Sequence, residues 1–440
     1  MARVHSRASY RDASVMSIFN KMLSVCGSDG GIIGYIRNGW FSTAFTEPLF
    51  QESTIGVTSD GYCAIALNDG GLFDGQVQIL DKDFLCSHAL DYSRRPFAFV
   101  DNFDNLLTRA ANNPNRVFAH DFPSGTFLAG RAASLSAYSG DAFVNGQYSG
   151  SYFYYSDGTP TGTILSHNMS ATQLRGRRNT WSTDTNGLGV VTRPSYTVAY
   201  GATAESNKIS MLQMNLDFSS TLKSIGIPQS GNAAYLSFNP RFYSSSPLAH
   251  PTNQNIVYIT TGASILKLDF TPSTPTVIGA ICFSNSGGIH SSKMGKDGYI
   301  YLTWSPSTTN GVEVIRVDPE TFAYTQWSIT HSSYNSPLQA DFDADSNGVI
   351  YGQCQFSDGA SSYCSFLFRT TPEDFVSSID ALSSNVGGVI SVNESTGVFT
   401  TGTLTTTTAT THGSDLDNSD QPTISSYPVD TTGLDGLILV

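Results

Sequence analysis

Between Asp341 and Cys354 the chain reads DFDADSNGVIYGQC, with carboxylates at 341, 343 and 345 followed by Asn347 and Gly348. Hard oxygen ligands at alternate positions ahead of a turn glycine are the chemistry of a calcium loop. Counted from Asp343, such a loop takes side-chain oxygens at positions 1, 3 and 5, which are Asp343, Asp345 and Asn347, and a glycine at position 6, which is Gly348. It also needs a bidentate acid at position 12, where this chain has Cys354. The VIYG run that follows is β-branched and aromatic, which suits a strand better than the helix such a loop would enter. Asp343, Asp345 and Asn347 are therefore candidate calcium ligands for which the sequence supplies half a site.

Other reactive side chains group less well. His250, His290 and His331 are separated by 40 and 41 residues, which invites a ring of metal ligands. Their distances to the nearest turn landmark disagree: His290 stands eight before Gly298, His331 17 before Gly348 and His250 five before Asn255. No serine sits in a GxSxG elbow, and no carboxylate pair recurs in a constant frame. NSGGIHSS (residues 285–292) is glycine-rich but lacks the lysine of a phosphate loop. In SYFYYSDG, Tyr152 and Tyr154 alternate with Phe153 and Tyr155, so one pair of rings faces each side of a strand. Core packing is the favoured reading of those rings, with stacking on a sugar as the alternative.

Composition narrows the classes. The 440 residues carry a formal net charge of −13, with 13% charged and 12% aromatic residues and 40 glycines. That mixture is rich in strand and turn formers and poor in helix formers, so an all-β chain is expected. The negative charge argues against binding to a phosphate backbone. The one basic cluster, LRGRR from Leu174, reads as a solvated loop. Six cysteines include no CxxC pair, and Cys354 and Cys364, ten residues apart, read either as partners across a hairpin or as buried thiols. The N-terminal segment has no continuous apolar core of a secretory signal, and no window is apolar enough to span a bilayer. The chain is therefore expected to be made in the cytoplasm and to stay soluble, or to leave by a route other than a cleaved signal, so the sequons at Asn168 and Asn393 carry little meaning.

The elements that must position these residues follow from periodicity. From Asp12 to Cys26, Val15, Ile18, Phe19, Met22, Leu23 and Val25 fall on one face of an expected helix, so residues 1–30 read as a helical docking segment. From there the period is two. A turn, an aromatic strand, a gap and a second strand recur as SDGYCAIAL with QVQILDKD, NPNRVFAHDF with TFLAGRAAS, SGSYFYYSD with GTILSHNMS, TRPSYTVAY with ISMLQMNLD, NQNIVYITT with SILKLDFTP, KDGYIYLTW with EVIRVDPET, and SNGVIYGQC with SFLFRTTPE. Spacings of about 40 to 60 residues are those of β-propeller blades. Residues 31–399 therefore read as one propeller of about seven four-stranded blades. The expected closure takes an extra strand from GIIGYIRNGWFSTAF or GGVISVNESTGVF. Residues 400–440, with TTTTATTH and then an acidic stretch, read as an extended tail. Leu437, Ile438, Leu439 and Val440 in it read either as a strand added to another subunit or as one returning to its own propeller.

The repeated unit, shown best by GKDGYIYLTW and EVIRVDPETF, resembles β-propeller repeats in general. Propellers of the integrin type carry a DxDxDGxxD calcium loop; here Tyr351 stands where its last Asp belongs. In overall character, with low charge, Ser/Thr/Asn/Gly-rich strands and long termini, the chain also resembles virion components of tailed bacteriophages. Tail nozzle proteins of short-tailed phages include propeller domains, and that resemblance implies a ring of subunits round a DNA channel. The leading expectation is thus a non-catalytic virion propeller. Ile18, Phe19, Met22 and Leu437–Val440 would dock it to other virion proteins or to copies of itself, with no cofactor beyond the calcium considered above. One alternative is a receptor- or carbohydrate-binding propeller at an extracellular surface, using Tyr152, Tyr154 and Trp181. The other is a propeller lactonase, lyase or glycosidase with Asp341, Asp343 or His290 at the channel mouth.

Overall fold

The computed structural model describes the strands given below, the turns at 58–62, 101–105, 121–126, 215–218, 250–255, 270–275, 295–299, 318–323, 345–349 and 371–372 that join some of them, and residues 198, 220, 247 and 261; these are the described residues. In chain order the strands are β1 (Leu23–Cys26), β2 (Ile33–Arg37), β3 (Trp40–Phe45), β4 (Ile55–Val57), β5 (Cys63–Asn68), β6 (Gly75–Leu80), β7 (Cys86–Tyr92), β8 (Pro96–Val100), β9 (Leu106–Ala110), β10 (Asn115–His120) and β11 (Phe127–Ala133). Next come β12 (Gly146–Tyr148), β13 (Tyr152–Ser156), β14 (Ile164–Asn168), β15 (Gln173–Asn179), β16 (Thr185–Thr192), β17 (Ala199–Glu205), β18 (Lys208–Met214), β19 (Thr221–Pro228), β20 (Leu248–Ala249), β21 (Ile256–Thr260), β22 (Ser264–Asp269) and β23 (Thr276–Phe283). The remainder are β24 (Gly287–Met294), β25 (Ile300–Pro306), β26 (Gly311–Val317), β27 (Tyr324–Thr330), β28 (Ser336–Ala344), β29 (Ile350–Ser357), β30 (Tyr363–Thr370), β31 (Val392–Glu394), β32 (Thr406–His412), β33 (Ser414–Asp415) and β34 (Thr423–Ser426).

Consecutive strands pair antiparallel into blades, and the first strands of successive blades adjoin round a ring until β28 meets β4. The fold is an all-β propeller. Six blades have described cores: β4–β7, β8–β11, β16–β19, β20–β23, β24–β27 and β28–β30. The expected count of about seven packed blades is corrected to these six; β12–β15, between β9 and β16, forms a further antiparallel sheet described by its backbone pairing alone.

Why both faces of a blade are apolar is plain on β21, where every residue from Ile256 to Thr260 is buried. Alternate side chains of a strand point to opposite faces. Val257 and Ile259 pack with Tyr200, Met211 and Ile227 of the preceding blade, while Ile256 and Tyr258 pack with Ile300, Leu302 and Ile315 of the following one. Each blade thus closes the core of its neighbour on either side, which no blade could do alone. Tyrosine hydroxyls tie the layers together: Tyr200 donates to the Gln254 carbonyl at 2.8 Å, and Tyr258 to that of Pro319 at 2.7 Å. A Cβ on Gly56 of β4 would stand 2.5 Å from the Val100 amide nitrogen and 2.7 Å from Val100 Cγ2 on β8. Gly56→Ala is therefore expected to overpack this contact and cost about 1–3 kcal/mol, read as a lower urea midpoint with unchanged m-value.

The ring is closed by the chain's two ends. β3, from the GWFSTAF segment, pairs antiparallel with β30 and supplies the fourth strand of the last blade, with β2 and β1 beyond it. Of the helix expected from Asp12 to Cys26, Leu23–Cys26 is strand, because pairing with β2 gives its backbone a ladder that the 3.6-residue pattern could not foresee; residues 12–22 lie outside the described residues, which contain no helix. LRGRR is likewise not a loop but β15, the fourth strand of its sheet. The threonine tract adds to β15's outer edge as β32, consistent with the strand preference of β-branched residues.

Candidate functional site

The alternate carboxylates of β28 serve the junction between the last blade and the first. Asp341 Oδ2 accepts from the Ile55 amide at 2.8 Å, and Asp343 Oδ2 from the Val57 amide at 3.0 Å. The reason for the spacing is geometric. An edge strand presents outward amides at every second residue, so side chains two apart on β28 match amides two apart on β4. Lys293 Nζ of β24 completes the group, 2.5 Å from Asp341 Oδ2 and donating also to the Ile55 carbonyl. All three charged groups are buried. Asp343 lacks so close a cation, and burial pushes its carboxyl up to about 6 against the pull of Lys293 and Lys296. Cys63 on β5 is also buried, and burial with the nearby Asp343 raises its thiol well above the usual range.

The third carboxylate does turn work. Asp345 Oδ1 accepts from the amides of Asn347 and Val349, each at 2.9 Å, while Gly348 takes φ +77°. The same device recurs between first and second strands elsewhere: Asp101 Oδ1 accepts from Phe103 and Asn105 at 2.8 and 2.9 Å, and Thr58 Oγ1 from Tyr62 at 3.0 Å. Of the three candidate calcium ligands, Asp343 points to the β4 edge, Asp345 caps its own turn and Asn347 is exposed. The described residues contain no group of three or more His, Cys, Asp or Glu placed to hold a metal ion.

Among the histidines, His250 is buried; its Nδ1 accepts from the Thr252 and Asn253 amides at 3.1 and 3.0 Å. Nε2 therefore carries the proton and donates to Glu320, 2.5 Å away in the next blade. His290 marks the bulge in the β24–β25 pairing, and His331 lies outside the described residues. Tyr152 and Tyr154 belong to β13, the second strand of its sheet, while Trp181, Ile18, Phe19, Met22 and Leu437–Val440 lie outside the described residues. Cys354 pairs in register with Phe366, and Cys364 with Phe356, so the two cysteines do not face each other.

Sequence reasoning missed Lys293, Lys296 and the first-strand residues that join them. A cavity of about 30 Å³ is lined by Val100, Val191, Leu248, Lys293, Lys296 and Asp343, from the first strands of five blades and the turn after β24. It is large enough for roughly one or two waters. No motif signals it, because each blade contributes one or two side chains far apart in sequence. Chemically, the arrangement can hold buried charge and join blades.

No protein-family model matches the chain, and neither does any curated protein. Among solved structures, it is similar to the β-propeller domain of Cps50 (Swd1) from Myceliophteria thermophila, with a TM-score of 0.47 and 7% identity over 71% of this chain and 95% of that one.

Proposed function

We propose that this chain is a non-catalytic structural propeller that works by assembly, and that its setting is the particle of a tailed bacteriophage, as a tail component of the nozzle type. In this reading Ile18, Phe19 and Met22 belong to a segment that docks on neighbouring virion proteins. The acidic charge suits a conduit for DNA, since like charge reduces sticking to phosphates.

One observation carries the assembly reading. The four exposed large hydrophobic residues among those described, Leu128, Leu222, Ile278 and Tyr324, all stand within the first three positions of a fourth blade strand. They lie on the outer rim at the end of the ring that carries the turns leading into those strands. Apolar side chains repeated at one level of a rim support association of that rim with other subunits. Light scattering of the purified chain across a hundredfold concentration range tests it. The expected result is a mass that rises in multiples of 47.2 kDa, and a Leu222→Ser/Tyr324→Ser variant that stays at one chain. A parent chain that stays at one-chain mass throughout would overturn the reading.

A further inference from the structure

The first strands of the blades adjoin round the ring, and the cavity of about 30 Å³ lies among them. Val100, Val191 and Leu248 give it apolar walls, while Lys293, Lys296 and Asp343 supply its charge. Asn102, which also lines it, is exposed, so the cavity communicates with solvent. A space the size of one or two waters, with a few convergent polar groups, has the dimensions of a small-ion site. An ammonium carries three N–H donors. Lys293 directs two of them, to Asp341 Oδ2 at 2.5 Å and to the Ile55 carbonyl. Lys296 directs one to the Asp101 carbonyl and lies 3.7 Å from Oδ1 of the partly exposed Asp104. Each lysine retains a donor beside the cavity that both line.

Asp343 faces this group with both oxygens on backbone amides, Oδ2 accepting from Val57 at 3.0 Å and Oδ1 from Ala344 at 2.9 Å. The other titratable groups round it are Asp341 on its own strand, Tyr351, its register partner on β29, and the buried Cys63 on β5, whose raised thiol stays neutral. Charge decides what such a cavity takes. With both carboxylates ionised, Asp341 and Asp343 balance Lys293 and Lys296, and an added ion of either sign would be buried without a counter-charge. A proton on Asp343 leaves these four groups with a single positive charge, which one anion cancels. Burial already favours that proton, raising the Asp343 carboxyl to about 6.

We propose that this cavity binds one monovalent anion of the size of chloride together with a proton, the anion held by the Lys293 and Lys296 ammoniums and the proton by the Asp343 carboxyl. The site concerns one molecule and is independent of the assembly proposed above. Chloride NMR line-broadening on the full chain tests it, with sodium gluconate holding the ionic strength, because gluconate is too large for the cavity. In the parent the apparent Kd is expected to be roughly twentyfold weaker at pH 7.5 than at pH 5.5, since the protonated, competent fraction falls as pH rises through about 6. Asp343→Asn is neutral at both pH values and keeps an N–H donor, so it should bind chloride equally at both. That is a gain over the parent at pH 7.5, which an unfolded variant could not show. Lys296→Met should weaken binding at pH 5.5 by about tenfold or more, the loss of one charge-assisted hydrogen bond. A parent without saturable broadening would overturn the proposal, leaving water as the occupant. So would broadening that is equal at the two pH values in the parent, or unmoved by Asp343→Asn or by Lys296→Met, because the chloride would then sit on surface cations.

Discussion

Lys293→Met is expected to destabilise the propeller by on the order of 3–5 kcal/mol, because it leaves the buried Asp341 carboxylate without its cation. Asp341 would keep its bonds from the Ile55 and Phe342 amides, at 2.8 and 3.1 Å, but lose the ammonium 2.5 Å away. The Ile55 carbonyl would lose its lysine donor at the same time. Lys293 belongs to the next-to-last blade, Asp341 to the last and Ile55 to the first, so the damage falls on the seam where the ring closes. Pairing the change with Asp341→Asn removes the stranded charge while leaving an amide oxygen for the Ile55 N–H, and should recover more than half of the loss. Urea titration of the parent, both single variants and the double variant gives the coupling directly. A loss below about 1 kcal/mol for Lys293→Met would mean that the pair behaves as a solvated one.

The fold class was legible because blades repeat. An aromatic strand after a turn glycine marks the second strand at Tyr62, Tyr299 and Ile350, where Gly61, Gly298 and Gly348 take positive φ. One unit was read out of frame for a physical reason. In the second blade the same turn position is filled by Asp104, at φ 59°, so no glycine announces β9, and the aromatic strand NRVFAH, which opens its repeat unit in the sequence, is the third strand of its blade, β10, where the other units open on the second. Asp and Asn tolerate this conformation through short polar side chains, and a search keyed to glycine passes over them. The candidate site was legible only in its carboxylates. Their spacing of two is equally a ligand pattern and a match to the amides of an edge strand, and only the strand lying opposite distinguishes these. Ile55 and Val57 are 286 residues away from Asp341 and Asp343, a separation across which periodicity carries no information. The threonine tract was readable as strand-forming, but the edges that the segments after residue 390 cover belong to blades built 109 to 338 residues earlier.

Two buried groups should make stability depend on pH in opposite senses and hide each other. His120 is fully buried between Thr108 Oγ1 and the Gly125 carbonyl, and burial lowers its pKa from an ordinary 6.5 to about 4. Between those values the unfolded chain binds more protons than the folded one, so this contribution is complete above pH 6.5 and is lost as pH falls toward 4, by about 3 kcal/mol. Asp343 runs the other way. Its pKa is raised from 3.8 to about 6, so the folded chain binds more protons in that window. The stability it contributes is present below pH 3.8 and is lost as pH rises through 6, again by about 3 kcal/mol. From pH 4 to 6 the two slopes offset, and the parent should change little on their account. His120→Gln removes the histidine limb, and its unfolding free energy should fall as pH rises from 4 to 6. Asp343→Ala should show the reverse, with stability climbing over the same range, although the variant also loses the acceptor of the Val57 amide. Urea unfolding at half-unit steps of pH resolves both slopes. Parallel pH profiles in the parent and both variants would show that neither group titrates differently in the folded chain, and that Asp343 has a counter-charge or water contact close enough to hold it in the ordinary carboxylate range.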